Sequence, residues 1–135
     1  MKRFNRQTGG KGEQEAERLL RKKGYKILEM NWGNKWGEVD LICMDSRLRG
    51  NDAPHQSVQG NDVVVFVEVK AKTGYEYGAP WQMVNRRKLA QVRRMGGLFL
   101  TNKGWQDKAC RIDVVGVVFD RSGKVVEIDH YENVY

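Results

Sequence analysis

Glu68 and Lys70 stand at the end of Val63–Ala71 (VVVFVEVKA), the most apolar run of the chain. Valine recurs at alternate positions, and β-branched and aromatic residues fill most of the rest, which predicts a strand buried on both faces. Side chains alternate along a strand, so Val63, Val65, Val67 and Val69 point one way, and Val64, Phe66, Glu68 and Lys70 the other. A carboxylate and an ammonium therefore leave the same face of a strand where water is scarce. Burying an ion costs several kcal/mol unless it is paired or bound to a metal. These two groups need a compensating partner.

Asp40 is the candidate. It lies in Trp36–Met44 (WGEVDLICM), which reads as the preceding strand, with Val39, Leu41 and Cys43 on one face and Glu38, Asp40 and Ile42 on the other. A hairpin with Met44 opposite Val63 sets Asp40 opposite Val67, one residue from Glu68. A one-residue slip would turn every side chain of the shifted strand to the other face. In this arrangement Asp40, Glu68 and Lys70 share one patch. Carboxylates so close repel unless a proton or a cation lies between them. Paired hard oxygen ligands completed by water suit Mg²⁺ or Mn²⁺. A cation there would polarise a phosphodiester oxygen and make water more acidic, while Lys70 would orient that water or offset charge growing on the phosphate. The plain alternative is an ion pair at a strand end.

The surrounding elements follow from pattern. Gly12–Lys23 predicts a helix: Ala16, Leu19 and Leu20 form its apolar stripe, acids precede bases in accord with the helix dipole, and Gly24 supplies the stop. Tyr25–Asn31 reads as a first strand and the Gly33/Asn34 region as a turn into the second. A second helix is expected over Met83–Thr101, burying Leu89, Val92, Gly96 and Phe99. Gly96-Gly97 is costly inside a helix and marks a close contact or a break. Cys110–Phe119 and Val125–His130 read as the last two strands, joined by a turn at Asp120–Lys124. The order α-β-β-β-α-β-β implies an α/β fold: a mixed sheet of about five strands flanked by helices.

At 135 residues the chain suits one domain over residues 1–135. Residues 1–9 form a basic arm, read as a flexible tail or as a contact to phosphate. Residues 45–62, with Gly-Asn-Asp at Gly50–Asp52 and again at Gly60–Asp62, form a long hairpin insertion: a disordered tip, or a clamp using Arg47 and Arg49. No apolar stretch approaches the ~20 residues that span a bilayer, and the N-terminus lacks a secretory h-region, so no membrane partner and a cytoplasmic location are expected. Cys43 and Cys110 form no CxxC pair, which argues against zinc and a disulfide framework. His55 and His130 have no paired nucleophile or ligand cluster.

A net charge of +7 and a pI near 9.5 favour a polyanionic partner. Arg86, Arg87, Lys88, Arg93 and Arg94 give the second helix a cationic surface, either a solvated face or a nucleic-acid-binding one. Trp36, Tyr77 and Trp81 can stack on bases or pack within core and loops. No base-reading motif is present, so recognition of shape or backbone is expected.

Taken together, the chain resembles the YraN-like family of small bacterial proteins, within the restriction-endonuclease-like (PD-(D/E)xK nuclease) superfamily. The resemblance rests on Gly12-Glu13, Gly24-Tyr25 with Ile27-Leu28, Asn31-Trp32, Gly37-Glu38-Val39-Asp40-Leu41-Ile42 and Val65-Phe66-Val67-Glu68-Val69-Lys70. It continues through Gly78-Ala79-Pro80, Lys88, Arg111-Ile112-Asp113-Val114-Val115 and Glu132-Asn133. It implies a restriction-endonuclease-like core, with Asp40, Glu68 and the Val69 carbonyl as metal ligands and Lys70 as the catalytic lysine. Glu13 matches the N-terminal helix acid of Holliday-junction-resolvase-like members, and Gln82 is an accessory polar position. The implied function is a divalent-metal-dependent nuclease on DNA, branched or single-stranded. The alternative is an inactive nucleic-acid-binding protein on the same fold. A homodimer would suit two-strand cutting. The 45–62 insertion departs from relatives, which generally join these strands by a short turn.

Overall fold

A computed structural model describes residues 2–46, 62–74, 80 and 84–135, with side chains from residue 10 onward. Its elements are α1 (Lys2–Lys22), β1 (Lys26–Asn34), β2 (Gly37–Asp45), β3 (Val63–Thr73), α2 (Arg86–Lys103), β4 (Ala109–Phe119) and β5 (Val125–Tyr131). This is the expected α-β-β-β-α-β-β order. The strands form one mixed sheet, ordered β1-β2-β3-β4-β5. All neighbours are antiparallel except β3 and β4, whose parallel pairing needs the crossover that α2 provides.

β3 lies at the centre and is covered on both faces. Val65, Val67 and Val69 pack with Ala16 and Leu20 of α1, while Val64 and Phe66 pack with Val92, Met95 and Phe99 of α2. Gly96 is the close contact its cost suggested: a Cβ there would lie 2.8 Å from the buried Phe66 ring. The first helix closes through a Schellman turn, with Gly24 at φ 97°, its N–H donating to Arg21 O and the Tyr25 N–H donating to Leu20 O.

Three details differ from the sequence reading. Helix α1 begins at Lys2, so residues 2–9 are helical where a flexible arm was expected; once the Ala16/Leu20 stripe anchors the helix, each added residue only propagates it. The β2–β3 register is shifted by one residue, with Met44 opposite Val64 and Asp45 opposite Val63. Strict alternation in β2 also fails near Asp40, because Val39 packs with Ile42 under α2 while Leu41 and Cys43 face α1. The β2–β3 ladder ends at Leu41–Val67, just where this irregularity begins. The insertion tip with Arg47 and Arg49, and His55, Tyr77 and Trp81, lie outside the described residues.

A buried polar cluster closes the α1 side of the sheet. Arg111 donates from Nε to Asp113 at 3.0 Å and from its terminal nitrogen to the Tyr25 hydroxyl at 2.6 Å, and it pairs with Asp45 at 3.1 Å. Asp113 also accepts the Asn133 N–H at 3.0 Å and lies 2.8 Å from His130 Nε2. Burial pushes the Asp113 carboxyl up, but the hydrogen bonds from His130, Arg111 and Asn133 outweigh it and hold the group below the usual carboxylate range. The cluster ties the end of β2 to β4 and to the chain beyond β5. Among the described residues no helix is long and apolar enough to cross a membrane.

Candidate active site

The shifted register decides which side chains meet. Continued one step past Leu41–Val67, it sets Asp40 against Glu68 rather than Val67, and residues directly opposite in an antiparallel pair share a face. The ladder itself stops there. In place of a backbone bond, the Asp40 carboxylate accepts the Val69 N–H at 2.7 Å. The Asp40 and Glu68 carboxyls stand within hydrogen-bonding reach of each other. Lys70 Nζ lies 3.9 Å from Glu68 Oε2.

Two helices complete the site from opposite faces. From α1, Gly12 brings Glu13 in: a Cβ at Gly12 would lie 2.7 Å from Ala71 Cβ, so only glycine lets the helix backbone sit this close to β3. Glu13 hydrogen-bonds Asn31, which takes a left-handed turn at φ 52°, and feels the charges of Asp40 and Glu38. From α2 comes Lys88. Asn85 caps that helix by accepting the Lys88 N–H at 2.9 Å, which fixes Lys88 in the first turn. Its ammonium donates to Gln91 Oε1 at 3.1 Å and acts electrostatically on both Asp40 and Glu68.

This crowding perturbs every acid in the group. Burial raises the Glu68 carboxyl to about 8, with the Asp40 charge adding to the rise and Lys88 and Lys70 opposing it. Burial likewise raises Asp40, against the Val69 N–H and Lys88, which favour its ionised form. Glu13 is lifted to about 7 by burial first and Asp40 second. Glu68 is lifted further than Glu13, and Asp40 is raised although the Val69 N–H and Lys88 both favour its ionised form.

One atom stands out. Glu68 is 2 % exposed, and its Oε1 is buried without a hydrogen-bond partner. An orphaned buried acceptor costs about 1–3 kcal/mol, more when charged. Among the described residues no group of three or more His, Cys, Asp or Glu side chains has metal-ligating geometry. The donors that stand side by side are the carboxyls of Asp40 and Glu68. That hard-oxygen set fits Mg²⁺ or Mn²⁺, which keep several waters and bind through one or two carboxylates, and it does not fit zinc.

The model of "Uncharacterised protein family UPF0102" matches residues 12–117. The chain belongs to the UPF0102 family. A UPF0102 protein of Pelotomaculum thermopropionicum is 39% identical over 127 residues, 94% of this chain and 93% of the relative. One from Desulforamulus reducens is 36% identical over 126 residues, covering 93% and 92%. One from Mycobacterium tuberculosis is 36% identical over 130 residues, covering 95% and 91%. The UPF0102 match opens at Gly12, the glycine that seats α1, and takes in Asp40, Glu68, Lys70 and Lys88 while leaving β5 outside.

The remaining expected residues of this UPF0102 member separate into two groups. Arg86, Arg87, Arg93 and Arg94 are exposed on α2, whereas Lys88 is half-buried and acts electrostatically on the Asp40 and Glu68 carboxyls. Gln82 lies outside the described residues. The sequence reading missed Asn31 and Gln91, and it gave Glu38 no role. A β1 asparagine at a positive φ and a glutamine one turn beyond Lys88 carry no pattern of their own. Only the pairing of β1 with β2 and the seating of α2 reveal them.

Proposed function

We propose that this chain is a Mg²⁺- or Mn²⁺-dependent nuclease that hydrolyses DNA phosphodiester bonds. The observation that carries the reading is the buried, unpartnered Glu68 Oε1 beside the Asp40 carboxyl, with two lysines in electrostatic range. Asp40, Glu68 and the Val69 carbonyl are the groups that would hold the cation. Such an ion, when bound, supplies Lewis acidity to a phosphodiester oxygen and acidifies water.

The protein groups have separable tasks. The Val69 N–H orients the Asp40 carboxyl at 2.7 Å and favours its ionised form against the effect of burial. Lys70, half-exposed beside Glu68, offsets negative charge as it grows on the phosphate oxygens. Lys88 does the same from the α2 side. Glu13, with its carboxyl lifted to about 7, is suited to exchange a proton near neutral pH. Exposed Arg86, Arg87, Arg93 and Arg94 attract the polyanion toward an otherwise acidic patch. The resemblance to restriction-endonuclease-like enzymes supports the same assignment.

The test is cleavage of supercoiled, linear, nicked, branched and single-stranded DNA with Mg²⁺ or Mn²⁺, against EDTA and against Asp40→Ala. Metal-dependent cutting that Asp40→Ala abolishes supports the reading. Identical behaviour of wild type and variant on every substrate overturns it. The exposed arginines of α2 favour a second reading, a nucleic-acid-binding protein without turnover. Its mark is salt-dependent affinity indifferent to metal and to Lys70→Ala.

A further inference from the structure

Trp36 is 71% exposed, the most exposed of the large hydrophobic residues described. It sits at the tip of the β1–β2 hairpin, where a packed core position is out of reach. A single surface hydrophobic residue ordinarily needs no explanation. Three observations set this one apart. Its backbone is pinned at both ends: the N–H donates to Asn34 Oδ1 at 2.8 Å, and the carbonyl accepts from Gln91 Nε2 at 3.1 Å. The Lys35 ammonium stands 5.2 Å from the ring centroid, giving one indole a cation beside it. The same Gln91 that holds the Trp36 carbonyl accepts from Lys88, so one side chain joins the hairpin tip to the carboxylate site.

We propose that Trp36 is a stacking platform for an unpaired base of a single-stranded nucleic acid, with Lys35 and the exposed Arg86 and Arg87 meeting its backbone. The proposal rests on the reading of the carboxylate site as one that acts on nucleic acid, and it names the strand structure that the site takes. An aromatic ring at a rigid, water-exposed tip gains most from a base whose face is free. Bases inside a duplex have both faces stacked, whereas loops, ends and single strands offer them. Four residues separate Trp36 from Asp40, about 13 Å along a strand. At ~3.4 Å per stacked nucleotide this is a span of about four nucleotides.

The experiment measures binding of a fluorescein-labelled 12-nucleotide oligothymidine and of a mixed-sequence 12-base-pair duplex by anisotropy, in EDTA and low salt, for wild type, Trp36→Ala and Trp36→Phe. Sedimentation of each protein gives its oligomeric state, and thermal melting gives its fold. Trp36→Ala should weaken the oligothymidine complex roughly 5- to 100-fold, leave the duplex complex within twofold, and melt like wild type, while Trp36→Phe retains most of the affinity. Unchanged oligothymidine affinity in Trp36→Ala, with wild type binding, overturns the platform and leaves the nuclease reading standing. Equal loss on both ligands also overturns it. A wild-type dimer that Trp36→Ala dissociates without loss of oligothymidine affinity assigns the indole to a second copy instead. If wild type binds neither ligand, the nucleic-acid reading itself falls.

Discussion

The Asp40 carboxylate accepts the Val69 N–H at 2.7 Å, immediately beyond the last backbone pair between their strands. A side chain thus replaces a ladder bond at the place where the strands part. The replacement satisfies the Val69 amide, which would otherwise be buried without a partner, and it aims the Asp40 carboxyl beside that of Glu68. Asp40 therefore stands in for a backbone acceptor while its carboxyl lies beside Glu68. The Glu68 carboxyl on the partner strand has no comparable donor for Oε1, and the consequences are measurable.

Without a cation, stability should fall as pH rises from about 4.5 to about 8. The Glu68 carboxyl is raised in the folded state, so the folded protein binds more protons than the unfolded chain through that window. The penalty is absent below the lower value and complete above the upper one, about 5 kcal/mol at most. Glu68→Gln removes it. Thermal melts in EDTA across pH 4 to 9 should show the wild-type midpoint declining more steeply than that of Glu68→Gln, which keeps only the smaller decline due to the raised Glu13 and Asp40 carboxyls. Parallel curves would show that Glu68 ionises without cost.

Loading with Mn²⁺ should release protons near neutral pH, because ligation requires the ionised form of a carboxyl raised to about 8. Calorimetric titration at pH 7 in buffers of different ionisation enthalpy reads that release directly. Wild type should give enthalpies that depend on the buffer, while Asp40→Asn and Glu68→Gln should give little heat in any. At a hundredfold excess over the dissociation constant the ion should also stabilise wild type by about 2.7 kcal/mol. A buffer-independent enthalpy would contradict the protonated resting state.

Much of this site was legible in sequence because the Val63–Lys70 alternation announces a strand, its two buried faces and the two ions at its end. Register was not legible. Apolar side chains line both faces of β2 and β3, so a one-residue shift moves none of them into water, and the pattern that usually pins register has nothing to oppose. Lys88 sits in a basic helical run, and nothing in that run shows that it also acts on the carboxylates. That action depends on the Asn85 cap and on how α2 crosses β2. The Asp45, Arg111, Asp113 and His130 cluster joins residues scattered over three strands, with no spacing to betray it.

The contact between Gly12 and Ala71 offers a sterically simple test of how α1 holds Glu13. Gly12→Ala gains up to about 1 kcal/mol of helix propensity, yet its Cβ would lie 2.7 Å from Ala71 Cβ. The overlap should win and destabilise the protein by about 1–3 kcal/mol. In an Ala71→Gly background the obstacle is gone, and Gly12→Ala should become neutral or stabilising. Denaturant unfolding of the four proteins closes the cycle. Additivity within about 0.3 kcal/mol would mean that the helix does not bear on β3 at this point.

Asp113→Asn should be the most damaging single change on the α1 side, costing about 3–5 kcal/mol by leaving Arg111 short of its closest counter-charge. The pH dependence has the opposite sign to that of Glu68. The Asp113 carboxyl is lowered in the folded state, so its contribution is complete above the unfolded value near 3.9 and disappears as pH falls through the folded one. Acid unfolding of wild type should therefore steepen below pH 4, and Asp113→Asn should lose that limb.

Lys88 separates charge compensation from metal retention. It lies in electrostatic range of both Asp40 and Glu68, on a helix to which neither carboxylate belongs. A resident ammonium repels a divalent ion, so at pH 9, with both carboxyls ionised, Lys88→Ala should bind Mn²⁺ more tightly than wild type. If Lys88 offsets charge on the reacting phosphate, the same variant should cut DNA 10²- to 10³-fold more slowly. Tighter binding with slower cleavage is a combination that general misfolding does not produce, since a distorted site weakens both. Looser Mn²⁺ binding in Lys88→Ala would instead make the lysine a structural brace for the acid pair, holding through Gln91 what the strands leave open.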